Sequence, residues 1–134
     1  MQLSDEQEHS LDLFKGGKNL FITGPGGVGK THLIHEFIKD AERRGKKVQV
    51  CALTGCASIL LGCNAKTIHS WSGIKMAKGS KTQIVERALR GKKVKKNWKG
   101  VQVLIIDEVS MMSKKIFEAM EELARFARSN SQPF

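Results

Sequence analysis

Residues 24–31 read Gly-Pro-Gly-Gly-Val-Gly-Lys-Thr, a stretch that matches the pattern G-x-x-x-x-G-K-[ST]. A short apolar run, Asn19 to Thr23, precedes it, and an amphipathic helical pattern follows it from Lys30 to Arg44. Glycines let backbone N–H groups surround phosphate oxygens, because no Cβ obstructs the approach. The stretch and its flanks therefore predict a buried strand, a phosphate-binding loop and a helix within an α/β fold.

The side chains of this loop indicate how it would hold a nucleotide. Lys30 would bridge the β- and γ-phosphates of ATP, and the hydroxyl of Thr31 would ligate Mg²⁺. The other residues that we assign to nucleotide binding contribute backbone N–H groups: Gly24, Gly26, Gly27, Val28 and Gly29. The alternative is a glycine-rich turn that contains Lys-Thr by chance. The strand before it, the helix after it and an acid pair farther along the chain make that alternative improbable.

The acid pair is Asp107-Glu108, which directly follows the apolar run Val101 to Ile106. A carboxylate at the carboxyl end of a buried parallel strand lies at the edge where ligands of α/β sheets bind. We expect Asp107 to hold Mg²⁺ through its water shell, and Glu108 to orient or deprotonate the water that attacks the γ-phosphate. Alone, the pair would be better interpreted as two solvated acids. Together with the loop, it predicts nucleotide hydrolysis, with Lys30 and Glu108 as the catalytic residues.

The remaining segments alternate between helix and strand, which is typical of an α/β architecture. We expect helices over Ser4 to Phe14 and Cys56 to Leu61, a strand over Lys47 to Leu53, and a last helix from Ser113 to Arg128. The chain of 134 residues has room for one small domain with a single core. Three parallel strands with exposed edges make a poor independent sheet, so we expect a sheet flanked by helices that is incomplete in this chain.

Composition and cysteine usage narrow the class of protein. The chain is 40% hydrophobic and 27% charged, as globular proteins are, and no apolar run approaches the roughly 20 residues of a membrane span. We therefore expect no membrane partner. The three cysteines show neither disulfide nor zinc spacing, which favours a reducing intracellular compartment.

The net charge of +10 is concentrated in one segment. Between Lys75 and Lys99 there are ten basic residues and one acid, whereas the rest of the chain is nearly neutral. Such a segment favours a polyanion such as nucleic acid, and Lys92, Lys93, Lys95 and Lys96 are its densest cluster. A solvated, partly flexible loop explains the charge equally well.

Three further segments carry polar or aromatic groups that could have either a structural or a ligand-binding role. Gln7 completes a capping box with Ser4, although its amide could also pair with an adenine edge. Hydroxyl, glycine and imidazole groups suited to phosphate contact lie at Thr54, Gly55, Thr67, His69 and Ser70. Trp71 could stack on a base; the alternative, an ordinary loop with Trp71 in the core, is slightly favoured without other information.

The order of five segments carries a family resemblance: SDEQ at 4–7, GPGGVGKT at 24–31, ALTGCAS at 52–58, TIHSWSG at 67–73 and LIIDEVSMM at 104–112. In that order they resemble the Pif family of RecD-like, superfamily-one DNA helicases, and the likeness covers nearly the whole chain. Phosphate-binding loops occur in many ATPases, whereas TIHSWSG followed by IIDEVSM is far more specific.

The resemblance implies a RecA-like P-loop domain of a motor that moves 5′ to 3′ on single-stranded DNA, driven by ATP and Mg²⁺. It also implies that Gln7 contacts adenine, and that Thr54, Gly55, Thr67, His69 and Ser70 contact DNA. Members act in DNA replication, repair, recombination or telomere maintenance, in the nucleus or mitochondrion where the host is eukaryotic. We expect a monomeric motor.

The resemblance also indicates what activity to expect from the chain alone. The family continues into a segment that senses the γ-phosphate and into a second motor domain with an arginine finger, so we expect residues 1–134 to be the N-terminal part of the first domain. An arginine finger contributes about 10³–10⁵ in rate, so the isolated chain should be a weak ATPase. The alternatives are a non-catalytic nucleotide-binding module and a P-loop kinase or other transferase.

Overall fold

The first helix of the computed structural model, α1 (Asp5–Lys15), begins with a complete capping box. The Ser4 hydroxyl accepts a hydrogen bond from the backbone N–H of Gln7 at 3.2 Å, and the Gln7 side chain accepts one from the backbone N–H of Ser4 at 2.9 Å. The second helix, α2 (Val28–Arg43), packs on α1 through stacked rings of Phe14 and Phe37, whose centroids are 4.5 Å apart. Both helices end close to where the sequence predicts.

The structure describes residues 4–22, 28–109, 112–129 and 134, and the chain divides into two compact units, residues 1–48 and 49–134. The expectation of one domain with a single core stays a prediction. The apolar stripe of α2, with Leu33, Ile34 and Phe37, is buried in the first unit, whereas the large core cluster belongs to the second.

The strand predicted over Asn19 to Thr23 is not observed. Residues 19–22 form no strand, Phe21 is 72% exposed, and Thr23 lies outside the described residues. An apolar run becomes a strand only when a neighbour accepts its backbone hydrogen bonds. The strands that pair in the structure all lie between Val48 and Ile106.

The sheet contains β1 (Val48–Ala52), β2 (Lys66–Thr67) and β3 (Val103–Ile106) in the order β2-β1-β3. β1 and β2 are parallel, with Cys51 opposite Lys66 and Ala52 opposite Thr67. The strands predicted over 47–53 and 101–106 are thus confirmed in slightly shorter form. β2 was not predicted, because two residues carry no readable period. β3 is half-buried along its length, although its apolar sequence predicted full burial.

Five helices accompany the strands in the second unit: α3 (Gly55–Leu61), α4 (Ile68–Ser72), α5 (Lys81–Leu89), α6 (Lys92–Gly100) and α7 (Lys114–Arg128). α7 packs against α5 and α6. α7 begins after Ser113, whose hydroxyl accepts from the backbone N–H of Ile116 at 3.2 Å, as the sequence predicts. The basic segment is largely α5 and α6, so most of it is ordered helix. No described helix has the length and apolarity to cross a membrane.

Two tryptophans join α4 to α6 in the core of the second unit. The rings of Trp71 and Trp98 lie 4.7 Å apart, and the two residues are 4% and 1% exposed. The indole N–H of Trp98 donates to the carbonyl of Ser72 at 3.1 Å, and the Asn97 amide donates to the carbonyl of Trp71 at 3.0 Å. Packing and polar contacts therefore fix α6 against α4 together.

Gly73 ends α4 in a left-handed conformation with φ of +83°. A Cβ there would lie 2.7 Å from Cγ2 and 2.8 Å from Cγ1 of Val94 on α6. We expect Gly73→Ala to cost about 1–2 kcal/mol for the backbone conformation and a further 1–3 kcal/mol, roughly, for the contact. Urea denaturation of the chain measures both contributions. In a Val94→Ala background the cost of the contact should fall to what the Ala88 Cβ, 3.2 Å away, still imposes, and an equal cost in both backgrounds would contradict this packing.

Arg128 in the last turn of α7 closes the other end of α6. Its Nη1 donates to the carbonyls of Trp98 at 3.2 Å, Lys99 at 3.4 Å and Val101 at 2.7 Å, which α6 leaves without helical partners. We expect Arg128→Gln to lower the free energy of unfolding by about 1–2 kcal/mol.

Arg125→Gln is the matched control, because it removes the same charge from the same turn. Among the described residues, the Arg125 guanidinium hydrogen-bonds only Glu121, one turn earlier on the same helix, at 2.7 and 3.0 Å in a partly exposed pair. The hydrogen bond to Glu121 raises the pKa of Arg125, which is charged at neutral pH in any case. The control should change stability less, and equal losses in thermal denaturation would show that Arg128 does not hold α6.

Candidate nucleotide-binding and nucleic-acid-binding sites

The described part of the phosphate-binding loop is the first turn of α2. Gly29, Lys30 and Thr31 follow Val28, the first residue of that helix, so their backbone N–H groups belong to the end that lacks helical partners. This is also the end where the helix dipole favours an anion. Gly24, Gly26 and Gly27 and the side chain of Val28 lie outside the described residues, and their assignment to nucleotide binding stays a prediction.

Gln7 connects α1 to this turn. While its Oε1 completes the capping box, its Nε2 donates to the carbonyl of Gly29 at 3.1 Å. A Cβ on Gly29 would lie 3.0 Å from this Nε2, so the approach is close. The capping role that spacing favoured is confirmed. The contact with Gly29 was missed, because it joins residues 22 positions apart with no local pattern. Contact with adenine stays a prediction, and one Nε2 hydrogen is left for it.

The acid pair lies at the end of β3, as predicted. The backbone N–H of Asp107 donates to the carbonyl of Cys51 at 2.9 Å, which extends the pairing of β3 with β1 by one residue. Glu108 follows at φ of +58°, an uncommon conformation for a residue with a Cβ, and its side chain is exposed.

Cys51 lies fully buried in β1 at this edge. Burial raises the pKa of its thiol to about 12, and the nearby Lys66 lowers it only in part. The thiol is therefore neutral at physiological pH and serves as a small apolar group. Cys56 and Cys63 are exposed free thiols, and burial raises the pKa of Cys63 as well.

Two threonines lie at the same sheet edge as Asp107. Thr54 follows β1 and caps α3 by accepting from the N–H of Ala57 at 3.1 Å; Thr67 ends β2 and caps α4 by accepting from the N–H of Ser70 at 3.4 Å. Ala52 pairs with Thr67, and the carbonyl of Cys51 accepts the backbone hydrogen bond of Asp107, so Thr54, Thr67 and Asp107 all lie at or just after strand ends at this edge. Gly55 begins α3 beside Thr54 and is exposed.

The TIHSWSG segment contains the helix α4, which has an exposed and a buried face, and is not an ordinary loop. Ser70 is exposed and His69 is half-buried, so both can still reach a ligand. Trp71 points inward onto Trp98. The prediction that Trp71 stacks on a base is wrong for this structure, because the ring is 4% exposed. The position of Trp71 on the helix directs its ring inward, and the seven-residue motif alone does not reveal that orientation.

Lys92, Lys93, Lys95 and Lys96 are all exposed on α6. Lys99 was not assigned to this group, because it lies beyond the dense cluster in the sequence. In the structure Lys99 joins Lys92, Lys95 and Lys96 around one open cavity of about 440 Å³, while Lys93 does not line it. Nucleic-acid binding by these lysines stays a prediction.

Comparisons of the sequence and of the structure with known proteins both match helicases of the same family. The family model of the PIF1-like helicases matches residues 2–134. The ATP-dependent DNA helicase PIF1 of Saccharomyces cerevisiae is 36% identical over 134 residues, and Pif1 of Bdellovibrio bacteriovorus is 35% identical over 134 residues. These matches cover 98% and 100% of this chain.

A crystal structure of Pif1 helicase from Candida albicans matches with a TM-score of 0.88 and 35% identity, over 99% of this chain and 30% of that one. The structure titled as two coordinating Pif1 helicases at forked double-stranded DNA matches with a TM-score of 0.76 and 27% identity. The chain spans 15% of the Saccharomyces relative and 30% of the Bdellovibrio relative. The α/β fold and the P-loop assignment agree with these neighbours, and the chain belongs to the PIF1-like helicase family.

Proposed function

We propose that this chain forms the nucleotide-binding part of the first motor domain of an ATP-dependent 5′-to-3′ DNA helicase, acting in DNA replication, repair, recombination or telomere maintenance. The observation that carries the proposal is the family match over residues 2–134. Two local features, one in each compact unit, support it: Lys30 and Thr31 lie in the first turn of α2, and an acid pair follows β3. A kinase or a non-catalytic module accounts for neither the family match nor its extent.

In this proposal Lys30 binds the β- and γ-phosphates and neutralises charge that develops as the γ-phosphoryl group leaves. Thr31 and Asp107 supply a hydroxyl and a carboxylate, which are the oxygen donors that Mg²⁺ prefers, and these two residues would hold it. The metal, when bound, would offset negative charge on the phosphates. Glu108 orients the attacking water and accepts its proton, so that water adds to the γ-phosphorus and ADP departs.

The DNA contacts that we propose use side chains at the edge of the sheet. Thr54 and Thr67 accept capping hydrogen bonds with their oxygens, which leaves each hydroxyl proton available for a phosphate oxygen. His69, Ser70 and the backbone of Gly55 complete the set. Single-stranded DNA is the proposed substrate, since the resemblance implies translocation on one strand.

The proposed assembly is a monomeric motor that includes a second motor domain. The reducing intracellular compartment that the cysteine pattern favours is also a proposal.

Replacement of Lys30 tests the nucleotide site. In the complete gene product, Lys30→Ala should lower ATP hydrolysis in the presence of single-stranded DNA at least 100-fold, because the charge that faces the phosphates is lost. Glu108→Gln should abolish turnover while a fluorescent ATP analogue still binds. Lys39→Ala, which removes an exposed lysine of the same helix, should leave both measurements unchanged. An ATPase that ignores DNA, or that tolerates Lys30→Ala, would refute the helicase proposal.

Substitution of Ser70 tests DNA contact without disturbing the fold. Its hydroxyl makes no hydrogen bond within the described ranges, whereas its backbone N–H is the group that Thr67 caps. Ser70→Ala should therefore weaken binding of a labelled oligothymidine several-fold without changing the unfolding midpoint. Thr67→Val should weaken oligothymidine binding and lower the unfolding midpoint, whereas Thr67→Ser should preserve the affinity and the midpoint. If Ser70→Ala leaves the affinity unchanged, Ser70 is removed from the proposed DNA contacts.

A further inference from the structure

Four lysines of α6 lie on one face of the helix, although they are not consecutive in the sequence. Taking about 100° of rotation per residue, Lys92, Lys95, Lys96 and Lys99 fall within an arc of about 100°, and Lys93 lies about 60° outside it. We call these four residues the α6 lysine face. They line the open cavity of about 440 Å³, together with Gly100.

This face lacks a neutralising partner among the residues that the structure describes. No carboxylate lies within 4.0 Å of any of its four ammonium groups, whereas Lys81 and Lys114 on neighbouring helices each contact Glu118. Lys92 also lies in the first turn, where the helix dipole disfavours a cation, and Gly91 provides no side-chain cap. The charges therefore repel each other along the helix, three and four residues apart.

The opposite side of α6 explains how a self-repelling helix stays folded. Trp98 is 1% exposed, and Asn97 and Trp98 donate to backbone carbonyls of α4. Arg128 donates to the carbonyls at the C-terminal end of the helix. The apolar side is thus committed to the core, which argues against insertion into a membrane, since an interfacial helix needs a free apolar face.

We propose that the α6 lysine face is a binding site for the phosphodiester backbone of nucleic acid, additional to the contacts at the sheet edge. The inference rests on the proposed function, which brings DNA to this chain. From Lys92 to Lys99 the helix rises about 10 Å, a length that matches about three phosphates of one strand. Bound phosphates would relieve the repulsion that the described carboxylates leave in place.

The test measures salt dependence in the full-length protein without ATP, with a labelled 30-nucleotide oligothymidine and a labelled 20-base-pair duplex. Gln in place of all four face lysines should lower the magnitude of the log–log salt slope on the single strand by about 2, since the face spans about three phosphates and each lost phosphate contact contributes about −0.7. Affinity at low salt should fall at least tenfold. The variant should unfold no earlier than the unmodified protein, because it carries less repulsion.

Two controls test whether binding depends on the position of these lysines or only on the total positive charge of the protein. Gln in place of Lys78, Lys81, Lys114 and Lys115 removes the same charge from the same unit and should leave the slope nearly unchanged. Within α6 itself, Lys99→Gln should reduce the slope by about 0.7, and Lys93→Gln should reduce it clearly less. These two variants differ only in their position around the helix.

The possible results separate failure of the α6 lysine face from failure of the proposed helicase function. A protein that binds neither probe overturns both. A protein that binds and hydrolyses as proposed, but whose slope falls equally in the face variant and in its four-lysine control, overturns the α6 lysine face alone. A larger loss on the duplex supports a backbone contact and assigns it to the double-stranded part of the substrate.

Discussion

A backbone hydrogen bond of 2.9 Å, from the N–H of Asp107 to the carbonyl of Cys51, holds the acid pair at the edge of the sheet. Through it, β3 stays aligned with β1 one residue beyond its own end, and Thr67 is placed at the same edge by its pairing with Ala52. The acid pair and both capping threonines depend on this register. A shift of one residue would turn every side chain to the other face of its strand.

The same polar atoms serve folding and, as we propose, ligand binding. The oxygens of Thr54 and Thr67 stabilise short helices, and Gln7 caps α1 while it contacts the turn that carries Lys30. A hydroxyl can accept one hydrogen bond and donate another, and a primary amide can donate two, so neither role excludes the other. Loss of activity after substitution at these positions is therefore not evidence of ligand contact by itself.

The sequence predicted the features that have a local signature. The capping box at Ser4, the helix after Ser113 and the acid pair after β3 each depend on neighbouring residues, and each is observed. The strand over residues 19–22 failed because pairing is not a local property. Burial of Trp71, the contact of Gln7 with Gly29 and the place of Lys99 beside Lys92 all depend on tertiary structure, which spacing cannot reveal.

The two anion sites proposed here differ in the physical means that they use. At the start of α2, backbone N–H groups and one lysine would bind compact phosphates in a fixed geometry, and glycine makes this possible by leaving space. On α6, flexible lysines would bind an extended polyanion with little demand on geometry and a strong dependence on salt. A nucleotide must be oriented for a water to attack it, whereas a translocating strand must be held and then released. Fixed amides suit the first requirement, and mobile ammonium groups on a rigidly anchored helix suit the second.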